Sequence, residues 1–224
     1  MATIHPRDRV YVVVGRSGAG KGTQVDLLAR KFRLRKIVTG DLFRALAASK
    51  AMLGRSIKRI VERGGLPPGW IASYLWTHEL IRLANKKRGV VIEGAPRRME
   101  EALLLDKVVP FLFGSGVVPV LIHVSEAEAM WRLSNRRVCS RCKRSAPYYP
   151  RPKNPAACAA CGGRMVRRKD DSPKAIRARM RFYEKSVKPV LRYYARQNRL
   201  IRVNGEQPIA DVFKELLVKL GHKK

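Results

Sequence analysis

Five residues without a charge or a glycine, Val10-Tyr-Val-Val-Val14, run directly into Gly15-Arg-Ser-Gly-Ala-Gly-Lys21-Gly-Thr23. The first run is short, β-branched and aromatic, which suits a buried strand. A membrane span would need about 20 apolar residues. The glycines that follow demand a tight turn, and the text over Lys21–Phe32 reads as a helix. A strand that turns through glycines into a helix is a strong constraint on the fold. Backbone N–H groups turned inward by the glycines ring an anion, and the helix N-terminus adds its partial positive charge. Lys21 is placed to reach the outer phosphates of such an anion, and Thr23 or its neighbour to face a magnesium ion held with it.

The alternation continues along the chain. Residues 34–38 read as a second strand that leads through Thr39-Gly40-Asp41 into helical text. Ile57, Ile60 and Val61 are spaced for a helix that Gly64-Gly65 ends, and Pro67-Pro68 start another reaching about Asn85. Residues 89–93, 117–124 and 199–203 read as three more strands, and residues 209–220 as an amphipathic helix. Strands separated by helices imply an α/β fold, a parallel sheet covered on both faces. Two stretches break the rhythm. Residues 40–70 are helices inserted between strands two and three, a candidate lobe. Residues 138–171 hold all four cysteines and many arginines without a clear period, as expected of a small module on two hinges.

A chain of 224 residues buries one good core with small lobes appended, and 46% apolar residues argue against disorder. No apolar stretch is followed by a small-residue cleavage site, so the expected compartment is the cytosol, where thiols stay reduced. The charge is unusual: 48 Lys and Arg against 17 Asp and Glu give +31. Polyanionic partners follow, nucleotides first and nucleic acid as an open alternative, beside a plain basic bias of the surface. No basic tail beyond Lys223-Lys224 can be detached, so the charge belongs to the folded body.

Cys139-x2-Cys142 and Cys158-x2-Cys161 form two knuckles separated by 15 residues. That spacing predicts a four-thiolate structural zinc site. Disulfides are the rival reading, and the reducing compartment argues against them. A closed four-thiolate site leaves no position for catalysis, so the metal would fold the module, whose own core is too small to stay rigid.

Gly22, between Lys21 and Thr23, makes the glycine loop resemble that of the adenylate kinase family and its nucleoside monophosphate kinase relatives. The resemblance extends to Thr39-Gly-Asp-Leu-Phe-Arg44, Glu93-Gly-Ala-Pro-Arg97, Trp131-Arg132 with Asn135-Arg136-Arg137-Val138, and Arg168-Lys-Asp-Asp171 with Ile176-Arg177-Ala-Arg179. It implies a P-loop NTPase-like five-stranded parallel sheet with helices on both faces, plus two lobes. Residues 1–38, 71–137 and 172–224 would be the core, 39–70 the lobe that binds the monophosphate, and 138–171 the zinc-bearing lid.

The implied reaction is reversible magnesium-dependent phosphoryl transfer from ATP to AMP by a monomer. Another monophosphate (GMP, CMP or UMP) is the alternative acceptor, and a basic zinc protein with an RNA-binding role is the rival. The acceptor is already an ionised phosphate, so catalysis needs positioning and charge stabilisation rather than a strong base. His5, His78, His123 and His222 are isolated accordingly. By resemblance ATP would lie on Gly18, Ala19, Gly20, Lys21, Gly22, Thr23, Arg132, Arg136 and Gln207. AMP would lie on Thr39, Arg44, Gly65, Leu66, Pro67, Gly94, Ala95, Pro96, Arg97, Glu101, Arg168 and Arg179. Lys21, Arg97, Arg132, Arg136, Arg168 and Arg179 would be catalytic, because planar, permanently charged forks suit transferring phosphates. Arg132 and Arg136, four apart, are expected on one helix face. Glu93 would orient magnesium through water, or else pair with Lys21.

Three positions depart from the family pattern. Ser17 stands where Pro is usual, and Ala95 replaces the Phe of the Gly-Phe-Pro-Arg run. Glu101 falls where the family uses Gln to read adenine. Glutamine offers one donor and one acceptor, whereas an ionised Glu offers acceptors only and suits the two donors on guanine. A buried, protonated Glu would still serve adenine, and exposure on the helix near Arg98 is the remaining reading.

Overall fold

The computed structural model of the chain describes residues 9–62, 67–84, 88–142, 144–146, 155–168 and 171–222. His5, Gly64, Gly65, Leu66, Asn85, Lys223 and Lys224 lie outside the described residues. In chain order the elements are β1 (Val10–Val14), α1 (Lys21–Phe32), β2 (Arg35–Val38), α2 (Thr39–Ala48), α3 (Met52–Glu62) and α4 (Gly69–Ala84). There follow β3 (Val90–Glu93), α5 (Met99–Phe113), β4 (Val117–His123), α6 (Glu126–Ser134), β5 (Arg137–Cys139) and β6 (Met165–Arg167). The chain then forms α7 (Pro173–Phe182), a π-helical turn (Tyr183–Val187), α8 (Lys188–Arg196), β7 (Ile201–Asn204) and α9 (Ile209–Lys219).

The five-stranded sheet has the order β2-β3-β1-β4-β7, and every pairing in it is parallel. β1 is therefore central, as its fully buried sequence requires. Its residues alternate between two cores. Tyr11 and Val13 join Val25 and Leu28 of α1, Leu133 of α6, Met180 of α7 and Leu216 of α9. Val10 and Val12 join Trp76 and Leu80 of α4 with Leu105 and Val109 of α5. Both faces are covered, as expected. Pro119 interrupts the donors of β4, and it is tolerated because pairing with β7 begins one residue later, at Val120 opposite Ile201.

Boundaries shift where local geometry intervenes. The fifth strand of the sheet starts at Ile201 rather than at residue 199. Asn198 is left-handed (φ 55°), and the Arg199 N–H closes the end of α8 on the Tyr194 carbonyl at 3.1 Å. α2 and α3 pack on each other between β2 and α4. The cysteine stretch, read as aperiodic, contains the antiparallel pair β5–β6, in which Val138 opposes Val166. Among the described residues no helix is long and apolar enough to cross a membrane.

Candidate functional site

The loop after β1 runs through three glycines with positive φ: Gly15 (146°), Gly18 (88°) and Gly20 (84°). At Gly15 a Cβ would come within 2.4 Å of the Ile122 carbonyl oxygen, so the loop lies too close to β4 for any side chain. Gly20 opens α1, whose first turn carries no acidic residue, so the helix N-terminus stays attractive to an anion. Lys21 Nζ donates to the carbonyls of Gly15 (2.9 Å) and Arg16 (2.7 Å), folding the lysine back over the loop. Loss of hydration pulls its pKa down to about 8, opposed by Glu93 and reinforced by Arg97, Arg136 and Arg179. One ammonium thus feels four of the other predicted site residues.

Glu93 ends β3, and its carboxylate explains Gly22. A Cβ at Gly22 would sit 3.3 Å from Glu93 Oε2. Thr23, one residue on, is exposed at the mouth of the loop.

On the other side of Glu93 the chain turns through Gly94 (φ 83°) into a cis Ala95–Pro96 peptide. A Cβ on Gly94 would meet Arg97 Nη2 at 2.8 Å and Thr39 Cβ at 3.6 Å, so this glycine lets Thr39 and Arg97 close on each other. Thr39 is buried, and its Oγ1 has no hydrogen-bond partner among the described residues, a state that a ligand would relieve. Burial pushes the Arg97 guanidinium below its usual range, against the pull of Glu101 and Glu93.

Glu101 is 2% exposed, which excludes the reading that placed it on the solvent face of a helix. Its Oε2 accepts from the Arg97 backbone N–H at 3.1 Å, and burial raises its pKa. Ala95 is fully buried in the core that holds Trp76. Arg44 is exposed and pairs with Asp41. Pro67 lies partly buried just before α4.

The arginines around the cysteine module are ordered by acids. Arg132 of α6 is buried, donating through Nε to Glu128 Oε1 (2.7 Å) and through Nη2 to the Gly205 carbonyl (2.9 Å). Gln207, in the same β7–α9 loop, donates to the Asn204 carbonyl and to Glu215 Oε2 (2.6 Å). Arg136 does not share a helix face with Arg132: α6 ends at Ser134, Asn135 caps it, and Arg136 lies in the turn before β5. There it makes a two-pronged pair with Asp171, Nε to Oδ2 and Nη2 to Oδ1, both at 2.6 Å. Arg179 of α7 donates to the same Oδ1 at 2.7 Å. The Arg168 carbonyl accepts from the Asp171 N–H, which ties that arginine's backbone to the cluster.

Asp171, 6% exposed, is therefore an organising residue that the sequence reading quoted but did not select. Its signal was an acid set among arginines in a chain poor in acids. A second omission is Arg16. It pairs with Glu184 at 2.6 Å, lies 4.2 Å above the Tyr183 ring, and so ties the phosphate loop to the π-helical turn.

The four Sγ atoms of Cys139, Cys142, Cys158 and Cys161 lie within 4.8 Å of one another. Cys139 and Cys161 are 3.5 Å apart at sulfur, Cys142 and Cys158 3.7 Å, and no disulfide joins them. Sulfurs held tetrahedrally at 2.3 Å from one ion are about 3.8 Å apart, so the set fits a thiolate-bound metal. Backbone N–H groups of Cys142 and Arg141, each 3.4 Å from Cys139 Sγ, help draw that thiol's pKa down to about 6. Gly163 has no room for a side chain here, because a Cβ would stand 2.8 Å from Cys139 Sγ.

A loop built to wrap phosphate, with a lysine and arginines converging on it from separate elements, defines a P-loop nucleotide phosphotransferase. The family model described as "Adenylate kinase" matches residues 13–199. Among curated relatives, the adenylate kinase of Petrotoga mobilis is 36% identical over 203 residues, 90% of this chain and 93% of the relative. That of Thermosipho africanus is 35% identical over 207 residues, 92% and 96% of the two chains. That of Acetivibrio thermocellus is 32% identical over 211 residues, 94% and 97%. The chain belongs to the adenylate kinase family, nucleoside monophosphate kinases whose reaction converts ATP and AMP into two ADP.

Proposed function

We propose that this chain catalyses reversible phosphoryl transfer from ATP to AMP, giving two ADP. The observation that carries the reading is the convergence on Lys21 of Glu93, Arg97, Arg136 and Arg179, which arrive from β3, the α5 approach, the α6–β5 turn and α7. Two negatively charged nucleotides repel, and a site whose burial, with three arginines nearby, lowers a lysine pKa to about 8 is primed for phosphate oxygens. In this reading residues 18–23 wrap the ATP phosphates, with Arg132, Arg136 and Gln207 on their other side. Arg97, Arg44, Arg168 and Arg179 hold the AMP phosphate and the group in transfer, while Thr39, Pro67, Gly94 and Pro96 line the acceptor. Asp171 keeps Arg136 and Arg179 aimed until phosphates replace it. Thr23 and Glu93 would hold the magnesium that enters with ATP, Glu93 through water; the ion neutralises charge on the phosphates when bound.

Glu101 favours AMP here. Burial shifts its pKa upward, toward the protonated form, and a protonated carboxyl offers one donor and one acceptor, as glutamine does. The four thiols would hold a structural zinc that makes residues 138–171 move as one lid over the core, with residues 39–70 as the acceptor lobe. Free thiols without disulfides fit a reducing cytosol. Steady-state transfer from ATP to AMP, GMP, CMP and UMP, with wild type beside Glu101→Gln, tests the reading. AMP is expected to be the best acceptor for both; a preference for GMP by wild type would overturn the assignment.

A further inference from the structure

The helix formed by α7, the π-helical turn and α8 is continuous over residues 173–196. Eight of its residues are exposed. One is Pro173 at its start, and the other seven are all cations: Lys174, Arg177, Arg181, Lys185, Lys188, Arg192 and Arg196. Their spacings of three and four residues put them on one face, with neighbours about 5–6 Å apart along about 33 Å of helix. The opposite face is core: Ile176, Met180, Tyr183, Val187, Val190, Leu191 and Tyr194 are buried. The only acid in these 24 residues is Glu184, which pairs with Arg16 and Lys188. Of the seven cations, Lys188 alone is held in an ion pair with a described residue.

Seven like charges in a row repel one another, so this face is held at an electrostatic cost that folding does not require. The arginines assigned to nucleotides are not part of it: Arg179, on the same helix, turns instead to Asp171. Arg177, Arg181 and Lys185 also border a cleft of about 690 Å³ shared with Met130 of α6, which leaves room beside the row.

We propose that this face binds the phosphate backbone of a nucleic acid. The row is linear, as that backbone is, and long enough to meet several successive phosphates. It carries no Asn, Gln or aromatic side chain exposed to read bases, so recognition would be independent of sequence. An acidic membrane is the weaker partner, because the helix exposes no apolar side chain beyond Pro173 at its start to enter lipid.

The test is binding of a labelled single-stranded oligouridylate, with saturating magnesium and ADP filling the nucleotide sites, as a function of salt. At about 0.7 per neutralised phosphate, seven contacts give a log–log slope near −5, an affinity loss of roughly a thousandfold between about 50 and 200 mM salt. The variant Arg181→Gln/Lys185→Gln/Arg192→Gln/Arg196→Gln keeps three, for a slope near −2 and roughly a twentyfold loss. A variant with the same charge removed elsewhere, Lys31→Gln/Lys50→Gln/Lys107→Gln/Lys214→Gln, is expected to keep the wild-type slope. Kinase activity of both variants is expected to match wild type, which separates this surface from the catalytic reading. Equal weakening by the two variants, no RNA binding by wild type, or binding of phosphatidylserine vesicles in place of RNA would each overturn the proposal.

Discussion

Replacing Asp171 by Asn removes one negative charge from between two arginines and keeps the side chain's shape. In the wild type that carboxylate takes three charge-assisted hydrogen bonds, at 2.6, 2.6 and 2.7 Å. The side chains are 4% exposed for Asp171, 12% for Arg136 and 22% for Arg179, so water screens the pairs only in part. Breaking a buried pair by removing one partner costs about 3–5 kcal/mol, because the remaining charge is stranded. Arg179 is the more exposed, which puts the expected loss near the lower end, about 3 kcal/mol. For a chain of this length each kcal/mol moves Tm by about 2–4 °C, so Asp171→Asn should lower the nucleotide-free Tm by about 6–12 °C. Nucleotide phosphates would re-satisfy both arginines, and saturating ATP with AMP should recover most of the difference. Calorimetric scans with and without nucleotides read both effects. A Tm within about 1 °C of wild type without nucleotide would refute the idea that Asp171 carries these charges.

Other consequences can be checked in the same preparations. Glu101→Gln should stabilise the protein near neutral pH. Burial raises the folded-state pKa, so as pH climbs past the ordinary carboxylate range, about 4, the unfolded chain releases its proton while the folded one keeps it, and wild-type stability falls. The Tm advantage should vanish below that range; an advantage that persists in acid would contradict the assigned cause. Gly22→Ala presses a methyl to within 3.3 Å of Glu93 Oε2 in the first turn of α1, so kcat should fall about tenfold or more. Tm should hold or rise, since alanine is the better helix former by about 1 kcal/mol. Unchanged kcat would remove Glu93 from the proposed magnesium site. Elemental analysis should find one zinc per chain. Chelation should cut kcat about tenfold while far-UV circular dichroism keeps the signal of the five-stranded core. Full activity of zinc-free protein, assayed with magnesium restored, would refute the zinc lid.

The sheet was legible because its signals are local. Val10–Val14, the glycines after it and the repeated strand–helix period each lie within a dozen residues, and the two cysteine knuckles announce their own meeting. What stayed hidden depends on partners far apart in sequence. Arg136 finds Asp171 across 35 positions and Arg16 finds Glu184 across 168, and no spacing rule encodes either pair. The misplaced Arg136 has a different origin. A four-residue interval matches a helix, but the Asn135 cap ends α6 first, and the arginine is then free to turn to Asp171. Burial of Glu101 was likewise beyond the sequence, because its place in the third position of α5 admits either an exposed or an inward carboxylate. The Arg97 N–H at 3.1 Å is what draws it in.

The most direct test of the account is the stoichiometry of transfer. Purified enzyme with magnesium, ATP and AMP should be followed by phosphorus NMR until the signals stop changing. Two ADP formed for each ATP consumed, one AMP lost with it, and no free phosphate is the predicted result. One ADP and one inorganic phosphate per ATP, with AMP untouched, would mean that water is the acceptor and would contradict it.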